Sequence, residues 1–205
     1  MKTGVFTSTI AEAGAFIKTK DELEAPNIQL HYAPAMVIDH GRKSAWGTGL
    51  SCHSCLLRPK SRGEVTLESA DPFADPLIDP KFLTHPDDMQ DMIDGYKAMM
   101  KVLNNASFSK YISQNTQRPI DINDDADIEK AIREEADTVY HPVGTCKMGD
   151  DDMSVVSSDL KVHKMKGLRV VDASIMPTLV GGNTNAPTIM IGEKASDLIL
   201  NEWRI

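Results

Sequence analysis

Three short segments near the end of the chain hold the side chains best suited to chemistry. They are Tyr140-His-Pro-Val-Gly-Thr-Cys-Lys-Met-Gly149, Gly167-Leu-Arg-Val-Val-Asp-Ala-Ser-Ile-Met-Pro177 and Gly182-Asn-Thr-Asn-Ala-Pro-Thr188. His141 leads the candidates, because an imidazole is neutral near pH 7 yet close enough to titration to act as a general base. A lone histidine is more often a hydrogen-bonded structural residue, but Pro142 and Gly144 fix a loop beside this one. Asn183 offers both a donor and an acceptor, which suits it to orient a hydroxyl or stabilise an alkoxide. The same Asn183-Thr-Asn185 run also reads as turn and helix N-cap chemistry, and the two readings are compatible.

The elements around these loops must bring them together. From Pro187 to about Leu200 the spacing predicts a helix, with apolar residues at 189, 190, 191, 195, 198 and 199. That helix is apolar on most sides and so expects protein cover on most sides. Its first N–H groups and positive dipole end would lie beside Asn183 and Asn185, where they favour negative charge on a phosphate or a reduced aromatic cofactor. Leu168-Arg-Val-Val-Asp-Ala173 reads as a short buried strand with a polar exit, and Asp172 at a strand exit is where an α/β sheet meets its ligand.

The first 140 residues have another texture. Ile28, Leu30 and Tyr32 alternate with Gln29 and His31, the period of a half-buried strand. A second extended stretch runs from about Thr48 to Leu57 and ends at the turn Arg58-Pro-Lys-Ser-Arg-Gly63. Val65 and Leu67 alternate with Glu64, Thr66 and Glu68, predicting a third strand with one wet face. Asp71-Pro, Asp75-Pro and Asp79-Pro then predict a loop, since proline disfavours helix at the residue before it. A helix opens at Thr84-His-Pro-Asp-Asp88, and Met89, Met92, Ile93, Tyr96, Met99, Met100 and Leu103 recur at helical spacing. A methionine stripe can serve as an adaptable surface, but core packing is its commoner use. A further helix from about Asp125 to Ala136 carries Ile128, Ala131 and Ile132 on one face.

Bulk properties exclude several function classes. Lys+Arg 22 against Asp+Glu 30 gives a net charge of −8, with no clustered cations for nucleic acid or an anionic membrane. No window approaches a transmembrane span, and Met1 to Glu12 makes a poor signal peptide. Three cysteines indicate a reducing compartment rather than a disulfide scaffold, so a cytoplasmic location is expected. Cys52-His-Ser-Cys55 invites a metal, but residues i and i+3 of a strand point to opposite faces and no second pair exists; no metal site is expected. Cys146 lacks a nucleophile's partner beyond His141, and Asp150-Asp-Asp152 reads as a solvated loop.

The three opening segments resemble the C-terminal signature of the glucose–methanol–choline (GMC) family of flavin oxidoreductases. Thr3-Gly-Val-Phe-Thr-Ser-Thr-Ile-Ala-Glu-Ala-Gly14, Leu57-Arg-Pro-Lys-Ser-Arg-Gly63 and His85-Pro-Asp-Asp-Met89 extend the resemblance over nearly the whole chain. The run from Cys52 to Gly63 is most similar to the branch of choline dehydrogenases and bacterial alcohol dehydrogenases. The resemblance implies that His141 is the base removing an alcohol proton and that Asn183 is the second member of the catalytic pair. It implies that Asp172 and Ala173 contact the diphosphate and ribityl region of FAD, and that Asn185 lies near the isoalloxazine ring. The implied reaction oxidises a primary alcohol, choline among the candidates, to an aldehyde, with hydride passing to flavin N5.

The same resemblance implies an α+β fold. An antiparallel sheet with helices forms the substrate-binding region over residues 1–140, and residues 141–205 return to the FAD-binding domain as its last strand and helix. The family's N-terminal Gly-x-Gly-x-x-Gly motif is absent from the sequence. The chain is therefore expected to be a C-terminal part, binding FAD weakly or not at all and inactive alone. Its expected partners are an alcohol substrate and the missing N-terminal half, with self-association through the uncovered C-terminal helix. Peripheral attachment of the parent enzyme to the inner membrane stays open. Two rivals remain at this point: a non-catalytic assembly module that needs an N-terminal partner chain, and a hydroxynitrile-lyase-like relative with a redox-idle flavin.

Overall fold

The structure, a computed structural model, describes residues 7–9, 11–43, 47–112 and 119–203. The resembling segment from Thr3 to Gly14 lies partly outside the described residues. The chain divides into two compact units, residues 1–60 with 83–137 and residues 61–82 with 138–205. The stretch 61–82 thus groups with the C-terminal segment, where the single boundary expected near residue 140 puts it with the N-terminal region.

The first unit is built on a three-stranded antiparallel sheet of β1 (Ala13–Ile17), β2 (Ile28–Ala33) and β3 (Ser51–Leu56), in the order β1-β2-β3. Ile28 faces Leu56, Leu30 faces Ser54 and Tyr32 faces Cys52 across the β2–β3 ladder. Ile28 and Leu30 carry the expected alternation into a core with Met99. Gln29 is buried too, so the start of β2 is covered on both sides rather than on one. β1 is absent from the sequence reading, because Ala13 and Gly14 give it little apolar signal.

Against this sheet packs α1 (Pro86–Leu103). His85 caps it, its Nδ1 accepting the N–H of Asp87, and Pro86 fills a first-turn position that needs no N–H. The methionine stripe is core: Met89 and Met99 are buried, and Met92 and Met100 lie against buried neighbours. Asp88 is 2% exposed and accepts the backbone N–H of Lys60 at 2.8 Å, which ties the turn after β3 to the helix. A single turn, α2 (Ala106–Ser109), follows. Next comes α3 (Asp125–Glu135), capped by Asp124, which buries Ile128, Ala131 and Ile132 as expected.

The second unit holds the short ribbon of β4 (Glu64–Thr66) and β5 (Leu77–Asp79), and the helix α4 (Asn185–Glu202). β5 lies inside the stretch read as an Asp-Pro loop. The dry face expected of β4 is missing: Val65 is 49% exposed, because the sheet has only two strands of three residues each. Leu168 to Val171 does not enter a sheet either. Lys161 and Arg169 form an isolated bridge, and Val170 N–H donates to the Leu160 carbonyl. A lone strand has no ladder to join, so this segment stays a loop edge leading into a 3-10 turn at Ala173–Ile175.

The core of this unit gathers Val156, Leu160, Ile175, Met176, Ile191 and Ala195. Only one side of α4 enters it; Ile189, Met190 and Leu200 are each 58% exposed. Among the described residues no helix is long and apolar enough to cross a membrane.

Candidate functional site

Everything around His141 belongs to the second unit. Tyr140 adopts a left-handed φ of 63°, rare for a bulky side chain, and donates its N–H to Thr138 Oγ1 at 3.0 Å. Such a residue persists only where its surroundings over-determine it. Past His141 the chain turns through Gly144 at φ 88°, where an added Cβ would come within 3.3 Å of the Met176 carbonyl oxygen. Two backbone bonds then lace the loop to the 3-10 turn: Cys146 N–H donates to Ser174 O at 3.0 Å and Met148 N–H to Ile175 O at 2.7 Å. Asp172 starts that turn, its Oδ1 accepting the Ser174 N–H at 2.7 Å.

The third loop closes on the imidazole. Asn183 Nδ2 lies 3.0 Å from His141 Nε2, and Thr184 Oγ1 lies 2.7 Å from His141 Nδ1. Both ring nitrogens therefore have polar neighbours contributed from more than forty positions down the chain. Asn183 is exposed, His141 half-buried and Thr184 buried, so the Nε2 edge is the one toward solvent. Chemically, the pair presents a nitrogen base and a carboxamide at one open point, the arrangement needed to take a proton from a hydroxyl and hold its oxygen.

The remaining residues singled out from sequence sit on the frame of this loop cluster. Asp172 is exposed and Ala173 half-buried at the start of the 3-10 turn, and Asn185 is the exposed first residue of α4. Thr184, read from sequence only as part of a turn and cap run, does stand at the cap position of α4. Its contact with His141 is not marked locally, because the ring is forty-three positions away. The backbone carbonyls of Ser174 and Ile175, which hold the His141 loop, are invisible to side-chain reasoning for the same reason.

Among the described residues no cluster of His, Cys, Asp and Glu could hold a metal ion. Cys52 faces Tyr32, and Cys55 faces Gln29, three positions apart along the ladder. Burial pushes both thiols up, which disfavours the reactive thiolate. Of the acidic run after the loop, Asp151 pairs with Lys147 at 2.7 Å and accepts the Met153 N–H. The Lys147 hydrogen bond, followed by that of Met153, holds the Asp151 carboxyl below its ordinary range.

Comparison with known proteins decides the family. The GMC oxidoreductase C-terminal profile matches residues 59–192. The chain belongs to the GMC oxidoreductases. An alcohol dehydrogenase [acceptor] from Pseudomonas putida is 47% identical over 201 residues, covering 98% of this chain and 36% of that protein. An oxygen-dependent choline dehydrogenase from Klebsiella pneumoniae is 42% identical over 197 residues, covering 96% and 36%. Among solved structures, a pyridoxine 4-oxidase from Mesorbium loti superposes with a TM-score of 0.81 at 26% identity, covering 92% of this chain and 37% of that one. This GMC chain thus spans about a third of the length of the curated relatives it matches. Its mixed fold of antiparallel sheets and helices is that of the C-terminal portion of the family.

Proposed function

We propose that this chain forms the base-bearing C-terminal part of an FAD-dependent enzyme that oxidises a primary alcohol, choline among the candidates, to an aldehyde. The 3.0 Å approach of Asn183 Nδ2 to His141 Nε2 carries this reading. Two loops far apart in sequence converge there on one open edge, and the names of the two dehydrogenase relatives support a CH–OH donor. In this reading residues 1–140 are the substrate-binding region and 141–205 the segment returning to the FAD-binding domain.

The residues present fit FAD. The N-terminus of α4 receives no side-chain cap, although a threonine occupies the cap position. Eighteen aligned peptide units therefore end in N–H groups beside Asn185, a setting that favours an electron-rich ring or phosphate. In the proposed assembly Asn185 lies at the isoalloxazine, while Asp172 and Ala173 hold the ribityl and diphosphate region. FAD, when bound, supplies the hydride acceptor. His141 removes the hydroxyl proton at Nε2, and Asn183 hydrogen-bonds the same oxygen as negative charge grows on it. An alcohol gives up hydride readily only as its oxygen gains that charge, so both contacts lower the barrier.

Alone, the chain binds FAD weakly or not at all and does not turn over, because the uncapped helix end supplies one part of a site. The open side of α4 takes protein cover, from an N-terminal segment or a second copy, which sedimentation with and without that segment separates. The reading is tested by adding the N-terminal two thirds of the Pseudomonas putida relative to this chain and measuring alcohol-dependent bleaching of the flavin. Bleaching with the native chain and its loss with His141→Gln are expected. Equal bleaching by both would remove His141 from the reaction.

A further inference from the structure

We propose that Thr184 is a positioning residue, whose hydroxyl oxygen accepts the Nδ1 proton of His141 and so holds the ring in the tautomer with its lone pair on Nε2. The inference rests on the reading of His141 as the base and adds the group that aims it. Asn183 Nδ2 stands 3.0 Å from Nε2, and an amide nitrogen can only donate, so Nε2 is the acceptor of that bond. A neutral imidazole carries one proton, which must then sit on Nδ1. The neighbour of Nδ1 is Thr184 Oγ1 at 2.7 Å, a hydroxyl oxygen able to accept it.

The surroundings of Thr184 suit this role. It stands at the cap position of α4, where a threonine hydroxyl ordinarily accepts an N–H from the helix's first turn. Here it makes no such bond, and its backbone is in the αR region rather than extended. The hydroxyl is turned to the imidazole instead. Thr184 is 8% exposed, so little water competes for that contact. Its carbonyl accepts both the N–H of Thr188 at 3.0 Å and the Thr188 hydroxyl at 2.7 Å, which fixes the residue from behind. A β-branched side chain adds a narrow choice of χ1.

The consequence is directional. With Nδ1–H committed to Thr184, the lone pair at Nε2 points to the edge shared with Asn183. A hydroxyl reaching that edge displaces the Asn183 N–H from the lone pair and gives its proton to Nε2, while the freed Asn183 Nδ2 turns to the hydroxyl oxygen. The imidazolium formed keeps its Nδ1–H on Thr184 Oγ1, so the ring need not move. The opposite tautomer would put an N–H where the base is required, and a ring rotation would precede every proton transfer.

The test reads the tautomer directly. The full 205-residue chain is labelled with 15N-histidine, and two-bond 1H–15N spectra are recorded at a pH where imidazoles are neutral. The His141 signals are assigned by their loss in His141→Gln. The native chain is expected to show the Nδ1–H form as the major species. Thr184→Val, which keeps the shape and removes the oxygen, is expected to shift the major species to Nε2–H, and Thr184→Ser to restore Nδ1–H. Methyl signals of Ile191 and Ala195 report whether the unit stays folded. A native His141 that is mainly Nε2–H overturns the proposal whatever the variants do, as does a folded Thr184→Val that keeps Nδ1–H. No flavin or alcohol is present in this experiment. Failure of the tautomer assignment therefore leaves the proton-acceptor role of His141 standing, and failure of the bleaching experiment leaves the tautomer assignment standing.

Discussion

Gly144→Ala separates a loop held by backbone geometry from one held by side chains alone. Gly144 has φ of 88° and lies three residues past the proposed base. A Cβ in the left-handed region costs about 1–2 kcal/mol. Alanine also narrows the unfolded ensemble, which works the other way by about 0.4–1 kcal/mol. The built Cβ meets the Met176 carbonyl oxygen at 3.3 Å, a backbone atom in a buried residue that cannot swing aside. The balance is a loss of about 1 kcal/mol, roughly a fivefold change in a local opening equilibrium. Native-state hydrogen exchange reads it at two amides, Cys146 N–H on Ser174 O and Met148 N–H on Ile175 O. Both should exchange roughly fivefold faster in the variant. The Ile128 amide, bonded to Asp124 O in the other unit, serves as the control and should not change. Unchanged or slower exchange at Cys146 and Met148 would refute the idea that this glycine sets the conformation of the loop.

Two other glycines make a matched pair. Each sits inside a helix, where alanine is favoured by roughly 0.8–1 kcal/mol. At Gly192 a Cβ meets nothing within 4 Å, so Gly192→Ala should stabilise by about that amount in urea unfolding. At Gly95 it meets Ile28 Cδ1 and Ser54 Oγ, both at 2.8 Å; overpacking of about 1–3 kcal/mol outweighs the helix gain, and Gly95→Ala should destabilise. Ile128 is fully buried among Met89, Ile93 and Ile132, so Ile128→Ala should lower unfolding free energy by about 2–5 kcal/mol, again in urea. Hydrogen bonds from Lys161, then Arg169, hold the Glu202 carboxyl below its ordinary range. A lowered folded value means the contribution is present above the ordinary value of roughly 4.3 and disappears as pH falls through the folded one. The Trp203 NMR signals should therefore report loosening of the α4 end in acid, and Glu202→Gln should flatten that pH dependence.

The sequence made the long helices and the strand β4 legible, but not β1, β5 or the single turn α2. Met89 through Leu103 repeats over eighteen residues of α1, long enough for periodicity to speak, and Ile128, Ala131 and Ile132 do the same for α3. Alternation of Val65 and Leu67 marked β4 but not its exposure, and β5, three residues long, hides among Asp-Pro pairs. Leu168 to Val171 has the composition of a buried strand, but composition cannot supply ladder partners, and the segment enters one isolated bridge, Lys161 with Arg169. In the candidate site, His141 and Asn183 were readable because Pro and Gly mark their loops and the family resemblance marks their positions. Thr184 was readable as cap chemistry but not as a partner of the ring, since that contact arises from how two loops fold together and leaves no local trace. The buried Asp88 escaped for the same reason, its partner being a backbone N–H twenty-eight positions back.

The anchoring of the imidazole connects these particulars. Ile175 and Met176, 3% and 6% exposed, lock the 3-10 turn into the core, and the carbonyls of Ser174 and Ile175 then fix the loop bearing His141. Ile191 and Ala195, in the same core, seat α4, whose entry residues Asn183 and Thr184 fix the ring itself. One apolar cluster thus sets both halves of the pair, so neither can shift without disturbing the packing that holds the other. In the proposed reaction a ring held in this way need not reorient as charge develops, which is where preorganised polar groups gain their catalytic effect. Unpacking the cluster, for instance with Ile191→Ala, should therefore loosen the His141 contacts even though the substitution lies away from them. A side chain that altered the tautomer or contacts of His141 while leaving the core signals untouched would have to act on the ring directly, and Asn183 at Nε2 and Thr184 at Nδ1 are placed to do so.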